Sequence, residues 1–461
     1  MSTEFNQRDA NQANLPDPKA YVKASLSTIK GFASSRVSTS GDDPEPLVQP
    51  SLVLWLPRLG IILTGLFLCY SSLIIFRLVY YQGRPHKNVH TRPNLTVGVF
   101  KNQNISFIDK VLQFCFPLII SVGELVPEGS SEGPSPDTLQ RVRDQIRKVS
   151  VMTYKPVIES LGYTVTTVDL PNCSVLLHYP PASPTPPQTY TSLPPLIVWA
   201  HGGGLTIGDA EDSYLSDWMK LLSQHSLCQS GAASPMPVFA SVDYRLAPES
   251  KFPAAINDVV DAVLHFHTLN YSEKEPRYSS IHLAGASAGA YLVLMSLERL
   301  AASSVPLASI FVHEPMMPLT GDHPSQFVNA YSRTCPPRWI DWCWKAFAGG
   351  AVSDVYCGMS SSRWWKEYEE NTPSPPKLIV TLAKGDPMCG GAEALYEAIR
   401  AESKLDVLVF CARSSHACSV LDQEVHKKIL EKLAEYIFPK PATEVTDVNE
   451  DSDDSFIGEI K

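Results

Sequence analysis

Between Ile281 and Gly289 a short apolar run meets Gly285-Ala286-Ser287-Ala288-Gly289 and passes directly into Tyr291-Leu292-Val293-Leu294-Met295. The pattern predicts a strand, a tight turn and a helix. A serine on so sharp a turn needs neighbours without side chains, and the turn then lifts its hydroxyl clear of the sheet edge. Ser287 is therefore the candidate nucleophile. A bare Gly-x-Ser-x-Gly also occurs in ordinary small-residue turns, so the residues it is found with decide its meaning.

The first partner is His201-Gly202-Gly203-Gly204, which follows the apolar run Leu196 to Ala200. Such a loop can aim backbone N–H groups at an oxygen where negative charge develops, and a side chain there would be expected to block the substrate. The candidate oxyanion donors are Gly203, Gly204 and the N–H of Ala288. A nucleophilic serine also needs a base, and the base needs an orienting carboxylate. Asp386 follows the apolar run Leu378 to Leu382, and His416 follows Val407 to Phe410. This gives the order Ser, Asp, His, with the last two on loops after late strands. His265, His267 and His426 fall within predicted helices, while His313 ends a predicted strand and is the rival for the base.

Further strands are predicted at Thr164 to Val168, Ser174 to Tyr179, Val238 to Val242 and Leu307 to Val312. Helices are predicted at Pro253 to Leu269, Ala392 to Ala401 and Glu424 to Tyr436, and Pro180 to Pro195 reads as an exposed spacer. Short apolar strands alternating with helices imply an α/β protein with a mostly parallel central sheet covered by helices on both faces. Ahead of it, Ser135 and Pro136 read as an N-cap and first helical residue, and Leu139, Val142, Ile146 and Val149 share one apolar face.

From about Tyr163 to Phe438 the chain resembles the hormone-sensitive-lipase-like branch of the α/β-hydrolase fold, which includes arylacetamide deacetylases and fungal steryl acetyl hydrolases. The resemblance is carried by His201 to Gly204, Asp243-Tyr244-Arg245-Leu246-Ala247-Pro248-Glu249 with Phe252-Pro253-Ala254, Gly285 to Gly289, Asp386-Pro387 and His416. It implies a serine esterase in which Ser287 attacks, His416 moves the proton and Asp386 orients His416, with no cofactor or metal. It also implies a lipophilic, short-acyl ester such as an acetylated sterol as substrate. The family usually has Asp where this chain has Ala286, an aromatic at Leu205 and Gly at Ala417. Asp243, Arg245 and Glu249 read as structural charges near the pocket. Trp339, Trp342, Trp344, Trp364 and Trp365 fall where such enzymes place cap elements, and read equally as pocket lining or as core. The alternative is a catalytically silent hydrolase-fold protein that binds a partner; such a module has no need of all three residues plus the glycines.

The remainder of the 461 residues divides by composition. Residues 1–50 are a polar tail, and Leu59 to Phe76 form an uncharged, mostly apolar run bracketed by Arg58 and Arg77, with Tyr80 and Tyr81 beyond. A transmembrane anchor over 59–81 is predicted. Residues 93–162 are pre-catalytic or cap helices, among which Val111 to Val122 is too short to span, and 439–461 is an acidic tail. A net charge of -10 with no basic stripe excludes nucleic acid as a partner and leaves the membrane lipid and the ester. Ten scattered cysteines form no Cys-x-x-Cys pair, though Cys411 and Cys418 could bond in an oxidising compartment. Orientation is contested. Arg77, Arg84, Lys87 and Arg92 favour a cytosolic domain, whereas Asn94, Asn104, Asn172 and Asn270 each begin a glycosylation sequon. The resemblance favours an endoplasmic reticulum protein with a lumenal domain.

Overall fold

The computed structural model describes residues 133–438, apart from 182–192, 225–235, 273–275, 318–336, 350–363, 373, 384–385, 387, 404, 406, 413–415 and 417–422. The predicted anchor, the run Val111 to Val122, both tails, Ala417 and Cys418 lie outside the described residues. Among those residues no helix is long and apolar enough to cross a membrane.

Eight strands form one sheet: β1 (Thr164–Asp169), β2 (Ser174–Tyr179), β3 (Leu196–Ala200), β4 (Val238–Asp243), β5 (Ile281–Ala286), β6 (Ser309–His313), β7 (Lys377–Ala383) and β8 (Val407–Ala412). Their order is β1-β2-β4-β3-β5-β6-β7-β8. β2 runs antiparallel to β1 and β4, and every later pairing is parallel. The helices are α1 (Pro136–Leu161), α2 (Ser213–Gln224), α3 (Ala254–Ser272), α4 (Ala288–Ala302), α5 (Pro337–Ala348), α6 (Trp364–Asn371), α7 (Cys389–Glu402) and α8 (Gln423–Ile437). The predicted strands and helices lie at these positions, with ends shifted by a few residues.

Side chains of a strand alternate between the two faces of its sheet, and here the alternation divides the core in two. Val198, Ala240, Leu283, Ile310 and Val380 point to the face covered by α3, α4, α6 and α7. Trp199, Phe239, Ala284, Phe311 and Ile379 point to the face covered by α2, α8 and the end of α1. There Trp218 of α2 lies between Trp199, 4.9 Å away between ring centroids, and Phe311, 4.3 Å away. Because both faces are covered, the parallel strands read as unbroken apolar runs in the sequence.

The helix α1 begins as its sequence predicts, with the Ser135 hydroxyl accepting from the Thr138 N–H and Pro136 in the first turn. It continues past Val149, through Pro156, to a left-handed Gly162. Tyr154 and Ile158 explain the extension, since both are buried in the second core cluster and anchor the last turns.

Two histidines are buried in the sheet. The ring of His178 on β2 bonds Tyr154 and the Phe239 carbonyl, and His282 on β5 lies between the hydroxyls of Ser280 and Ser309 at 2.8 and 2.7 Å. Burial disfavours the imidazolium and lowers both pKa values to about 4. In the unfolded chain these groups take up protons near pH 6.5. The stability they contribute is therefore complete above about pH 6.5 and lost as pH falls toward 4. Urea unfolding midpoints are expected to decline steadily from pH 7 to pH 5, with a shallower decline in His282→Gln.

Candidate active site

β5 ends at Ala286, and Ser287 turns the chain into α4 with φ 53° and ψ -116°. That backbone is strained for a residue with a β-carbon, by about 1–3 kcal/mol, and persists only where neighbours over-determine it. The Ser287 N–H donates to the His313 carbonyl at 2.8 Å, and the Ser287 carbonyl accepts from Met316 at 2.9 Å. Both glycines are required by close backbone contact. A β-carbon on Gly289 would lie 2.0 Å from the Ala200 carbonyl oxygen, and one on Gly285 would lie 2.7 Å from the Gly289 backbone.

The structure joins Ser287, His416 and Asp386 in one hydrogen-bonded chain. The Nδ1–H of His416 donates to Asp386 Oδ2 at 2.6 Å, which leaves Nε2 to accept from the Ser287 hydroxyl at 2.8 Å. Asp386 is held by the Met388 N–H on its other oxygen at 2.8 Å and is 2% exposed. His416 is 6% exposed. The rival His313 is turned away from the serine. Its ring bonds the Tyr214 hydroxyl at 3.3 Å and stacks on Phe311, and its carbonyl rather than its imidazole meets Ser287. His265 and His267 lie in α3, beside Phe266 and Tyr271, and His426 lies in α8.

The loop from His201 to Gly208 leaves β3 beside the nucleophile, and a β-carbon on Gly202 would stand 3.4 Å from that of Ser287. Gly203 (φ +116°) and Gly204 (φ +63°) both occupy backbone that favours glycine. The structure adds a steric reason for each. A side chain at Gly203 would meet the Ile207 carbonyl at 2.0 Å, and one at Gly204 would meet Cys343 and Trp339 at 2.8 Å. Packing within the loop and against α5 therefore requires glycine at both positions. Ala288, as the first residue of α4, has an N–H without an acceptor in its own helix.

Three charged residues near the site were not legible in the sequence. Arg143 on α1 donates to the Thr206 and Ala247 carbonyls at 2.8 and 2.9 Å and binds Glu249 with both terminal nitrogens. That bond holds the Glu249 carboxyl below the usual carboxylate range. Asp258 on α3 is fully buried and takes the Arg245 guanidinium at 2.7 Å and the Arg245 N–H at 2.9 Å. The third is Glu314, directly after β6, whose Oε2 lies 3.9 Å from His416 Nδ1. The structural reading of Arg245 and Glu249 agrees with these contacts, and Asp243 is exposed. No periodicity marks Arg143 or Glu314, because each meets its partner only across the fold.

The tryptophans pack in or against the core cluster. Trp344 packs edge-on against Tyr291 of α4, and Trp364 against Trp365 and Tyr368, all buried core contacts. Trp339, buried in the same cluster, also closes on Gly204 of the loop.

Residues 197–419 match a family described as alpha/beta hydrolase fold, and they contain all six predicted site residues. The chain has the α/β-hydrolase fold. The hydrolase is 26% identical over 272 residues to a 3-O-acetylpapaveroxine carboxylesterase of Papaver somniferum, a match covering 56% of this chain and 82% of that protein. A probable carboxylesterase of Arabidopsis thaliana is 37% identical over 110 residues, covering 23% of this chain and 30% of the relative. Among solved structures, a hyperthermophilic esterase from Pyrobaculum calidifontis shares the fold at TM-score 0.53 and 19% identity, over 72% of this chain and 97% of that one. A bacterial heroin esterase does so at TM-score 0.51 and 19% identity, over 70% and 96%. The chain is a serine hydrolase of carboxylic esters.

Gly289→Ala is expected to lower folding stability by about 2 kcal/mol or more, the upper part of the range for overpacking. Gly202→Ala, whose added carbon meets nothing closer than 3.4 Å, is expected to stay near the parent. Denaturant midpoints of the two variants make the comparison.

Proposed function

We propose that this hydrolase cleaves lipophilic, short-acyl esters with Ser287 as nucleophile, His416 as general base and acid, and Asp386 as the carboxylate that orients His416. One observation carries the reading: His416 Nε2 lies 2.8 Å from Ser287 Oγ while its Nδ1 is bound to Asp386 at 2.6 Å. In that tautomer Nε2 accepts the hydroxyl proton as Oγ bonds to the ester carbonyl carbon. The carbonyl oxygen, now an oxyanion, takes N–H donors from Gly203, Gly204 and Ala288. Collapse expels the alcohol, which leaves with the proton from His416. Water then adds to the acyl-serine by the same route, and the carboxylic acid departs as Ser287 regains its proton.

Support for the substrate class comes from relatives named for an O-acetyl compound. An acetylated sterol is one ester of that kind. Ser287→Ala is expected to lower hydrolysis of a short-chain ester by on the order of a millionfold and to abolish labelling by a fluorophosphonate. His416→Ala should cost nearly as much, and His313→Asn little. Parent protein that takes up no fluorophosphonate and hydrolyses no ester would favour the silent binding protein.

We further propose that residues 59–81 anchor the domain, facing the lumen of the endoplasmic reticulum. Of the sequons, Asn94 and Asn104 lie outside the described residues. Asn270 is 3% exposed, with its amide bonded to Arg277 and Tyr278, so a glycan there is incompatible with the fold. Asn172 is exposed in the turn between β1 and β2. The expected result is an N-glycosidase mobility shift that shrinks in Asn172→Gln and is unchanged in Asn270→Gln. No shift at all, with the domain open to protease in intact microsomes, would place it in the cytosol, as the flanking arginines imply.

A further inference from the structure

We propose that Glu314 is a second carboxylate partner of His416, a positioning residue that acts alongside Asp386 through the field it places on the imidazole. The inference rests on the triad reading above and extends it.

Glu314 follows His313, the last residue of β6, and its side chain is 1% exposed. Its Oε2 stands 3.9 Å from His416 Nδ1, the nitrogen that Asp386 binds at 2.6 Å. At 3.9 Å the contact is too long for a hydrogen bond, yet well inside the range over which a carboxylate stabilises an imidazolium. A carboxyl buried this deeply is costly to ionise unless an opposite charge faces it. His416 becomes that charge when it takes the serine proton.

The backbone supports the assignment. Glu314 is one of four non-glycine residues at positive φ among the described residues, at 46°, and Ser287 is another. Its N–H donates to the Thr381 carbonyl on β7 at 2.9 Å, and the preceding carbonyl, that of His313, accepts from Ser287 at 2.8 Å. Two consecutive residues thus tie the nucleophile's turn to the strand that delivers Asp386. The left-handed backbone at Glu314 lies at the point where β6 stops and the carboxyl reaches the histidine.

Among the described residues, the groups that face the imidazole include Asp386 from the loop after β7, Glu314 from the end of β6 and Ser287 from the turn after β5. The titratable neighbour of Glu314 along the chain is His313, whose ring is engaged with Tyr214. With two carboxylates beside it, His416 should be a stronger base than Asp386 alone would make it. Part of the orienting role should survive loss of Asp386.

The test is the titration of His416 itself, followed by imidazole 15N NMR on the full chain labelled at histidine, with the resonance assigned by its absence in His416→Gln. In Glu314→Gln, which keeps size and shape, the His416 pKa is expected to fall by about 1 unit. Glu314→Asp, which keeps the charge, should restore most of it. The acid limb of kcat/KM on a short-chain ester should move down by the same amount, with KM little changed. Asp386→Asn should lose well under the roughly 10^4-fold known for a triad with one carboxylate, and the double variant should lose the full amount. An unmoved His416 titration in Glu314→Gln, or a full loss in Asp386→Asn alone, overturns the proposal. The NMR titration reads Glu314 whether or not the protein turns over ester, whereas activity that survives Ser287→Ala would sink the triad reading instead.

Discussion

The close approach of Gly289 to the end of β3 is the contact on which the site depends. The main chain at Gly289 touches the Ala200 and His201 carbonyls with no room for a β-carbon, and Gly285 touches Gly289 in turn. Two distant parts of the chain therefore meet as bare backbone: the end of β3 and the turn from β5 into α4. Backbone contact is stiff, since it offers no rotamers to readjust. The separation between the nucleophile's turn and the glycine loop is thus set by sterics that no side-chain rearrangement can relax.

Charge holds the other side of that loop. Arg143 binds two of its neighbouring carbonyls and Glu249, and Arg245 is clamped by the buried Asp258. The two pairs differ in energetic weight. Glu249 is 59% exposed, so its pairing with Arg143 is screened and worth little by itself. The Arg143 bonds to carbonyls matter more, because each joins a charged donor to a part-buried backbone acceptor. Asp258 is fully buried, and removing the partner of such a charge costs about 3–5 kcal/mol. A helix outside the expected catalytic segment, α1, thereby becomes part of its support.

The polar side chains at the carboxyl ends of β5, β6, β7 and β8 converge because the strands are parallel. Ser287, Glu314, Asp386 and His416 each follow a different strand, and parallel order brings those ends to one edge of the sheet. The strained backbone at Ser287 and Glu314 is compensated by hydrogen bonds to adjacent strands.

Much of this was legible in the sequence. Short apolar runs fixed the strands, because a strand covered on both faces has no polar side to show, and spacing fixed the helices. Ser287, Asp386 and His416 could be named because nucleophile, carboxylate and base must follow particular strands in order. The sequence also supplied His313 as a rival, since position after a strand says nothing about where a ring points. Only the tertiary structure decided that its imidazole faces Tyr214 while its carbonyl serves the elbow. The same holds for Arg143, Asp258 and Glu314, single charges with no local pattern, and for Asn270, a sequon whose amide is consumed in a turn. Local order is written in periodicity and motif, whereas these roles depend on partners up to 106 residues away along the chain. Only folding brings such partners within bonding distance.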